Sequence, residues 1–212
     1  MTPDRPLFLS GWAGPPGLFP DLASEVYFLQ PFIDGPEETI IPSLSGGPLL
    51  LAWSTGAHMV LKHTTTIFPL FAHIVLIAPF LAFTDGFPPR LLRRMQQGLA
   101  ANQAATLAQF YRNCGIRQTA ELVRQSPATQ TETLYAGLDY LLRSQAPDQH
   151  RVPHGHVCLV LPQQDRIVPP KAAERVRRAL PRASVRRPET GHYVPEPILD
   201  AIVHETTGSP LL

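Results

Sequence analysis

Ser54 lies in the segment 52–56, which reads AWSTG and directly follows the apolar run 49–51. A serine between a strand and a helix can form a nucleophile elbow, a strained turn in which the residues two positions away on either side must be small. Ala52 and Gly56 meet this requirement, although the strict motif begins with glycine. Serine and glycine are also common in ordinary turns, so the segment alone leaves both interpretations open.

A serine nucleophile requires a base that removes its proton and an acid that orients the base. His192 follows a weak apolar run, and Asp165 follows the stronger run 157–161. Serine, aspartate and histidine in this chain order form one of the known hydrolytic triads. Asp165 also suits a cap for the helix that follows it, and Glu189 is a rival acid that we interpret as a loop carboxylate. We expect Ser54, Asp165 and His192 to be catalytic.

A loop of small residues after the first apolar run supplies backbone donors. The segment 10–14 reads SGWAG, and its glycines permit a close approach of the backbone. We expect the backbone N–H groups of Trp12 and Thr55 to bind the negatively charged oxygen that forms when a hydroxyl attacks a carbonyl. The same glycines also suit a plain turn.

Metal ligands and reactive thiols are poorly represented in the sequence. His154 and His156 offer two ligands, yet no cysteine or carboxylate stands at a recognisable spacing from them. Cys114 lies in a helical pattern and Cys158 in a strand-like run, which indicates two reduced structural thiols rather than a disulfide. The sequence therefore predicts no metal and no other cofactor.

Short apolar runs, separated by segments with helical patterns, must position these residues. The helical segments include 170–180 and the residues after Pro197, each with its apolar positions on one side. Alternating strands and helices indicate an α/β fold with a mainly parallel sheet, covered on both faces. The carboxyl ends of such strands share one edge, where ligands bind. The apolar runs are 7–9, 26–29, 49–51, 74–77, 157–161 and a weaker one near residue 185.

The spacing of the strands is broken once. Between the fourth and fifth runs no strand-like segment occurs, while apolar residues recur at helical intervals in 91–99, 107–111 and 134–142. We interpret this region as a helical insertion over the carboxyl ends of the strands. The predicted division is an α/β core of residues 1–80 and 156–212 and a helical lid of residues 81–155.

Composition and charge exclude several classes of partner. The net charge is +1, composed of −4 over residues 1–80 and +5 over residues 81–212, which permits an acidic partner for the second half. No dense basic run is interleaved with aromatic residues, so we expect no binding of nucleic acid. No apolar run approaches the roughly 20 residues that cross a bilayer, and the sequence begins without a secretory signal pattern. We therefore predict a cytoplasmic protein that does not bind membranes.

Several of these segments together resemble the α/β-hydrolase fold, and specifically the pimeloyl-acyl-carrier-protein methyl ester esterases of biotin synthesis. Ser10 stands where many relatives have histidine. The first strand begins almost at the amino terminus, so we expect the sheet to lack the leading hairpin of larger hydrolases and to have about six mainly parallel strands, with a helical lid. The segments that resemble both the BioH and BioG types are 11–12 (GW), 52–56 (AWSTG), 165–169 (DRIVP) and 191–192 (GH), and those similar to the insertion of the shorter BioG type are 86–89 (GFPP) and 109–115 (QFYRNCG).

The resemblance implies hydrolysis of a methyl ester on a pimeloyl chain that is attached to acyl carrier protein. Ser54 would attack the ester carbonyl, His192 would take the proton and later activate water, and Asp165 would hold the imidazole. An apolar channel would bind the acyl chain, although packing in the core is the commoner role of apolar residues. The candidates for the channel are Trp53, Phe80, Phe83, Phe87 and Phe110.

The carrier implied by the resemblance is acidic and bears a phosphopantetheine arm. Residues 81–155 contain eight arginines, five acidic residues and no lysine, and guanidinium groups suit carboxylates and phosphates. A solvated helix face is the common location of any single arginine. We predict a docking patch formed by Arg90, Arg93, Arg94, Arg112 and Arg117.

Two alternatives stay open at this point. The first is a general carboxylesterase or thioesterase that acts on small acyl esters. The second is a non-catalytic, ligand-binding protein with the same fold, against which the complete set of serine, histidine and aspartate argues.

Overall fold

A computed structural model describes residues 5–126, 128–148 and 152–212. In this part of the chain the sheet has six strands, all parallel, in the order β2-β1-β3-β4-β5-β6. The predicted α/β fold with about six mainly parallel strands is therefore confirmed. The strands are β1 (Leu7–Leu9), β2 (Tyr27–Leu29), β3 (Gly47–Trp53), β4 (Phe71–Ile77), β5 (Val157–Val160) and β6 (Ser184–Arg186).

Helices flank the sheet and occupy most of the connections between its strands. Residues 49–53 and 74–77 of the two central strands are buried, as expected for a parallel sheet covered on both faces. The helices are α1 (Pro20–Glu25), α2 (Glu37–Ser43), α3 (Thr55–Lys62), α4 (Thr64–Ile67), α5 (Pro89–Asn113), α6 (Ala120–Arg124), α7 (Thr131–Arg143), α8 (Pro170–Ala179) and α9 (Glu196–Thr207). No helix in the described ranges is long and apolar enough to cross a bilayer.

The order of the strands reverses direction at β1, which lies between β2 and β3. After β1 the chain goes outward to β2 and then returns to form β3 on the other side. In register, Leu9 lies opposite Ala52, so the loops that follow β1 and β3 leave the sheet side by side. A ligand-binding crevice is expected at this kind of switch point in an open α/β sheet.

The segment between β4 and β5 is helical and contains α5, α6 and α7. α5 is broken at Asn102, whose φ of −160° and ψ of 90° are not helical. The Asn102 side chain accepts a hydrogen bond from Ala105 N–H at 2.9 Å and so begins the second arm of the helix. The two arms approach closely, because a Cβ on Gly98 would lie 2.7 Å from Thr106 Oγ1.

The two ends of the helical segment meet beside the core. Ala146 N–H donates to Leu81 O at 2.7 Å, and an antiparallel bridge pairs Ala82 with Gln145. Arg175 of α8 also joins the two ends, because it forms ion pairs with Asp85 at one end of the segment and Asp148 at the other. The division into a core and a lid of residues 81–155 stays a prediction, and residues 127 and 149–151 of that range lie outside the described part.

Candidate active site

Ser54 forms a strained turn between β3 and α3. Its φ of 53° and ψ of −111° place a residue with a side chain in a region that favours glycine. Hydrogen bonds on both sides hold the turn, since Ser54 N–H donates to Ile77 O at 2.8 Å and His58 N–H donates to Ser54 O at 2.9 Å. The turn presents the hydroxyl at the carboxyl edge of the sheet, as a nucleophile elbow does.

The small residues around Ser54 are required by close contacts. A Cβ on Gly56 would lie 2.3 Å from Leu9 O and 2.4 Å from Ser10 O. Likewise, a Cβ on Gly11 would lie 3.0 Å from the Cβ of Ser54. The glycine two residues after the serine therefore lets α3 begin directly against the loop that follows β1.

The structure brings the three side chains predicted to be catalytic together. His192 Nε2 lies 2.8 Å from Ser54 Oγ, and His192 Nδ1 lies 2.8 Å from Asp165 Oδ2. The histidine side chain is 0% exposed and the aspartate side chain 2%. Because an ionised carboxylate only accepts hydrogen bonds, the imidazole donates from Nδ1 and leaves Nε2 to accept from the serine hydroxyl. This arrangement can move a proton from the serine to the histidine.

Asp165 has both oxygens occupied. Oδ1 accepts from the backbone N–H groups of Ile167 at 2.7 Å and Val168 at 2.8 Å, while Oδ2 faces the imidazole. It makes no cap for α8, whose N-cap residue is Pro169. The rival acid, Glu189, is exposed in a cleft lined by residues of neighbouring loops. The structure thus brings Asp165, and not Glu189, to the histidine.

The loop after β1 closes over the same site. Trp12 N–H donates to Thr55 Oγ1 at 3.3 Å, and both residues line a cavity of about 10 Å³ beside Ser54. Ser10 donates from its hydroxyl to Gly14 O at 2.7 Å and closes the turn. Thr55 is the first residue of α3, where backbone N–H groups have no partner within the helix. Trp12 and Thr55 therefore lie on the same small cavity as Ser54, and their role as oxyanion donors stays a prediction.

Three of the five residues predicted to line an acyl channel lie on this cavity, namely Phe83, Phe87 and Phe110. The other two are not among the residues that line it, and their part in the channel stays a prediction. Trp53 is fully buried, and its indole N–H donates to His192 O at 2.9 Å. Phe80 is buried against the imidazole of His58, with the ring centres 4.8 Å apart. Both rings are therefore packed in the core.

A larger apolar groove of about 590 Å³ adjoins the small cavity. It lies along both arms of α5 and includes the break at Asn102. Sequence reasoning missed Met95 and Ile167, which line both spaces. A methionine in a helix and an isoleucine after a strand have no sequence pattern that marks them as part of a binding site. The groove and the cavity share Phe87, Met95, Phe110 and Ile167.

The predicted docking arginines lie in different places. Arg94 lines the apolar groove, and Arg93 lines a separate cavity together with Asp139 and Arg143. Arg90 is exposed at the start of α5. Arg112 and Arg117 line a cleft of about 880 Å³, which Arg166 and Glu189 also line. The single patch of five arginines stays a prediction, and the structure distributes its members over several surfaces.

Both cysteines are buried and free. Burial raises the pKa of the Cys114 thiol well above its usual value, and the negative charge of Asp165 raises it further, so the thiol stays protonated. His154 contacts Val152 O and Arg182 N through its two ring nitrogens, and His156 contacts Phe68 O. Across residues 5–126, 128–148 and 152–212, no cluster of three or more potential ligands could hold a metal ion.

A family profile described as the alpha/beta hydrolase family matches residues 1–201. The chain belongs to the alpha/beta hydrolase family. A comparison with curated proteins finds no match to this hydrolase.

Solved structures share the fold of the hydrolase at low sequence identity. The esterase EaEST from Exiguobacterium antarcticum has a TM-score of 0.70 and 14% identity, over 98% of this chain and 91% of that one. BioG from Haemophilus influenzae has a TM-score of 0.60 and 18% identity, over 90% of this chain and 89% of that one. The predicted resemblance to the α/β-hydrolase fold is confirmed, and one of the structures that share this fold is BioG.

Proposed function

We propose that this hydrolase is a serine carboxylesterase that hydrolyses the methyl ester of pimeloyl-acyl carrier protein during synthesis of the biotin precursor in the cytoplasm. The observation that carries the chemistry is the contact of one buried imidazole with both Ser54 Oγ and Asp165 Oδ2, each at 2.8 Å. The sequence motifs of the BioG type and the fold shared with BioG support the choice of substrate.

In the first half of the reaction, Ser54 Oγ bonds to the ester carbonyl carbon while His192 Nε2 takes the hydroxyl proton. The bond between the carbonyl carbon and the methoxy oxygen then breaks. His192 returns its proton to that oxygen, and methanol leaves. Asp165 holds the imidazole in the required tautomer and stabilises its positive charge.

In the second half, a water molecule gives a proton to His192 Nε2 and its oxygen bonds to the acyl carbon. The bond to Ser54 Oγ breaks, and the proton passes to the serine. The acyl chain leaves as a free carboxylic acid, which ionises. The Trp12 N–H exchanges Thr55 Oγ1 for the negative oxygen of each tetrahedral intermediate, which the Thr55 N–H also binds.

The pimeloyl chain lies in the apolar groove along the two arms of α5. Support comes from the continuity of this groove with the cavity at Ser54, through the residues that line both. A methylene chain has no polar group to satisfy, so an apolar lining binds it well. Phe87 and Phe110 keep their predicted roles at the junction of groove and cavity.

The acidic carrier docks at the cleft that Arg112 and Arg117 of the lid line together with Arg166. This cleft adjoins the apolar groove through Asn113, which lines both. Arginine side chains near the exit of an acyl groove suit the phosphate and carboxylates of a carrier.

The deciding experiment is incubation of the purified protein with pimeloyl-acyl carrier protein methyl ester and a mass measurement of the carrier. We expect loss of one methyl group with the wild type and none with Ser54→Ala. A carrier of unchanged mass after incubation with the active wild type rejects the proposed substrate. Labelling with a serine-reactive phosphonate tests the chemistry separately, since a ligand-binding protein without activity stays unlabelled.

A general carboxylesterase that acts on small acyl esters is the second candidate. The fold shared with the esterase from Exiguobacterium antarcticum favours it. This candidate predicts rapid hydrolysis of small free esters together with no preference for the carrier-bound substrate.

A further inference from the structure

The helical lid contacts the loop after β1 directly. Tyr111 of α5 donates from its hydroxyl to Ala13 O at 3.0 Å. The indole N–H of Trp12 donates to Leu134 O of α7 at 2.8 Å. At the other end of the loop, Gly17 N–H donates to Gln125 Oε1, just after α6, at 3.1 Å. α5, α7 and the residue that follows α6 therefore each take part in one hydrogen bond to the segment that carries a proposed oxyanion donor.

The loop after β1 has a strained backbone conformation next to Trp12. Ala13 has a φ of 53°, which is unfavourable for a residue with a side chain, and it directly follows Trp12. A strained conformation persists only where surrounding contacts hold it. The Tyr111 ring is fully buried, so its hydroxyl is fixed in place.

The phenol of Tyr111 can act as a donor over the whole working range of pH. Burial raises its pKa to about 12. The carbonyl of Ala13 can only accept a hydrogen bond, so the protonated phenol is the form that fits.

The same lid segment also contacts the loop that carries the histidine. Tyr193 N–H donates to Cys114 O at 3.0 Å. A Cβ on Gly191 would lie 2.6 Å from the same oxygen, so the two backbones are in close contact. Residues 111–115, which we call the strap, thus contact both the loop that carries Trp12 and the loop that carries His192.

We propose that the strap positions the catalytic loops, and that the Tyr111 hydroxyl is the positioning group that holds the Trp12 N–H in its productive orientation. The inference rests on the proposed serine hydrolase function. Tyr111 itself touches no reacting atom. It acts through the loop, and it gives the lid a part in the chemical step in addition to covering the site.

The test is Tyr111→Phe, which removes one oxygen and keeps the ring. We expect kcat on a small ester to fall about 10-fold to 100-fold with little change in KM, because displacement of a catalytic group affects the transition state more than the bound ester. A trifluoromethyl ketone, which forms a tetrahedral adduct with the serine, should lose affinity by a similar factor. Tyr135→Phe is the matched control, because Tyr135 is exposed on the same lid.

A folded Tyr111→Phe with the kcat and inhibitor affinity of the wild type overturns the proposal. Should this variant not fold, Gln125→Ala tests the outer contact, since Gln125 is exposed. We expect about a threefold lower kcat from the weaker hold on the loop, and an unchanged kcat there counts against positioning of this loop by the lid. Failure of the proposed function looks different, because the wild type itself would then neither hydrolyse esters nor bind the ketone covalently.

Discussion

Asp165 shows how single residues determine the chemistry of this site. Two backbone N–H groups fix one carboxylate oxygen, so the other has a single direction in which to face the imidazole. The carboxylate also determines which ring nitrogen carries the proton, and hence that Nε2 is free to accept from Ser54. The serine is activated by this fixed orientation, and the strained turn keeps its hydroxyl within reach.

Asp165→Asn should lower kcat by about 10⁴-fold, because an amide in this position favours the wrong imidazole tautomer. The measurement is kcat on a small ester at pH 7. Glu189→Gln is the matched control and should keep the activity of the wild type, because Glu189 is exposed and away from the imidazole. If Glu189→Gln were the damaging change, the acid would be misassigned.

Gly56→Ala tests the close contact beneath the strained turn. The added methyl group would meet Leu9 O and Ser10 O at 2.3 and 2.4 Å. We expect a loss of about 1–3 kcal/mol in the free energy of unfolding, typical of overpacking, measured by urea denaturation. Gly155→Ala is the control, because its Cβ would have no neighbour within 4 Å. Equal stability of the two variants would contradict this account of the elbow.

At the scale of elements, the broken helix α5 gives the site its groove. The break at Asn102 allows the second arm to return past the first, and Gly98 leaves room for Thr106 to approach. A straight helix of this length would have no concave face. The groove is thus a consequence of one residue with non-helical backbone angles within a 25-residue helix.

Met95→Trp should narrow the junction between groove and cavity. Since Met95 lines both spaces, we expect the ratio of kcat/KM for a hexanoate ester to that for an acetate ester to fall about tenfold. Ala100→Trp is the control on the same helix, because Ala100 is exposed and lines a different cavity. An unchanged ratio in Met95→Trp would show that the acyl chain takes another route.

The elements were predictable because their patterns are local. Apolar runs end just before Asp165 and Ser54, and parallel strands bring their carboxyl ends to one edge, so the placement of these residues followed from the sequence. The surroundings of Trp53 could not be predicted from the sequence, because its ring contacts His192, a residue distant in sequence. For the same reason the hydrogen bond of Tyr111 to the loop after β1 has no sequence signal.

At the scale of the whole molecule, charge is distributed unevenly between the two parts of the chain. The first 80 residues carry a net charge of −4 and the remainder +5. Exposed charges on the basic part attract an acidic partner from a distance and are screened by salt. A small uncharged ester gains nothing from this field.

Raising the salt concentration should therefore lower kcat/KM for a carrier-bound ester far more than kcat/KM for a small free ester. Combined substitution of Arg112 and Arg117 by alanine should reduce the salt dependence of the carrier substrate only. Arg124→Ala is the control, because this exposed lid arginine is already paired with Glu121. An equal response of the two substrates to salt favours the general carboxylesterase.

The stability of the whole fold should depend on His58. This side chain is fully buried between Phe80 O and Ser144 Oγ, and burial lowers its pKa to about 4. The unfolded chain protonates near the usual pKa of 6.5, so between these values it binds more protons than the folded chain. The free energy of unfolding should then fall by about 3 kcal/mol as the pH is lowered from 6.5 to 4.

Denaturation at several pH values measures this dependence. His58→Gln should lose most of it, whereas His204→Gln, at an exposed position, should keep it. The same slope in both variants would place the titrating group elsewhere.

Leu81 and Ala146 are hydrogen-bonded neighbours, so the chain enters and leaves the helical segment between them at one place beside the core. A short turn could replace this helical segment and leave the six strands in place, because the residues on either side of it are already neighbours. Such a graft would nevertheless remove Tyr111, Leu134 and Gln125 from the loop that carries Trp12. Exchange of lids among relatives would therefore alter turnover together with substrate choice, and a transplanted lid would need its own group opposite Ala13 before the recipient could work at full rate.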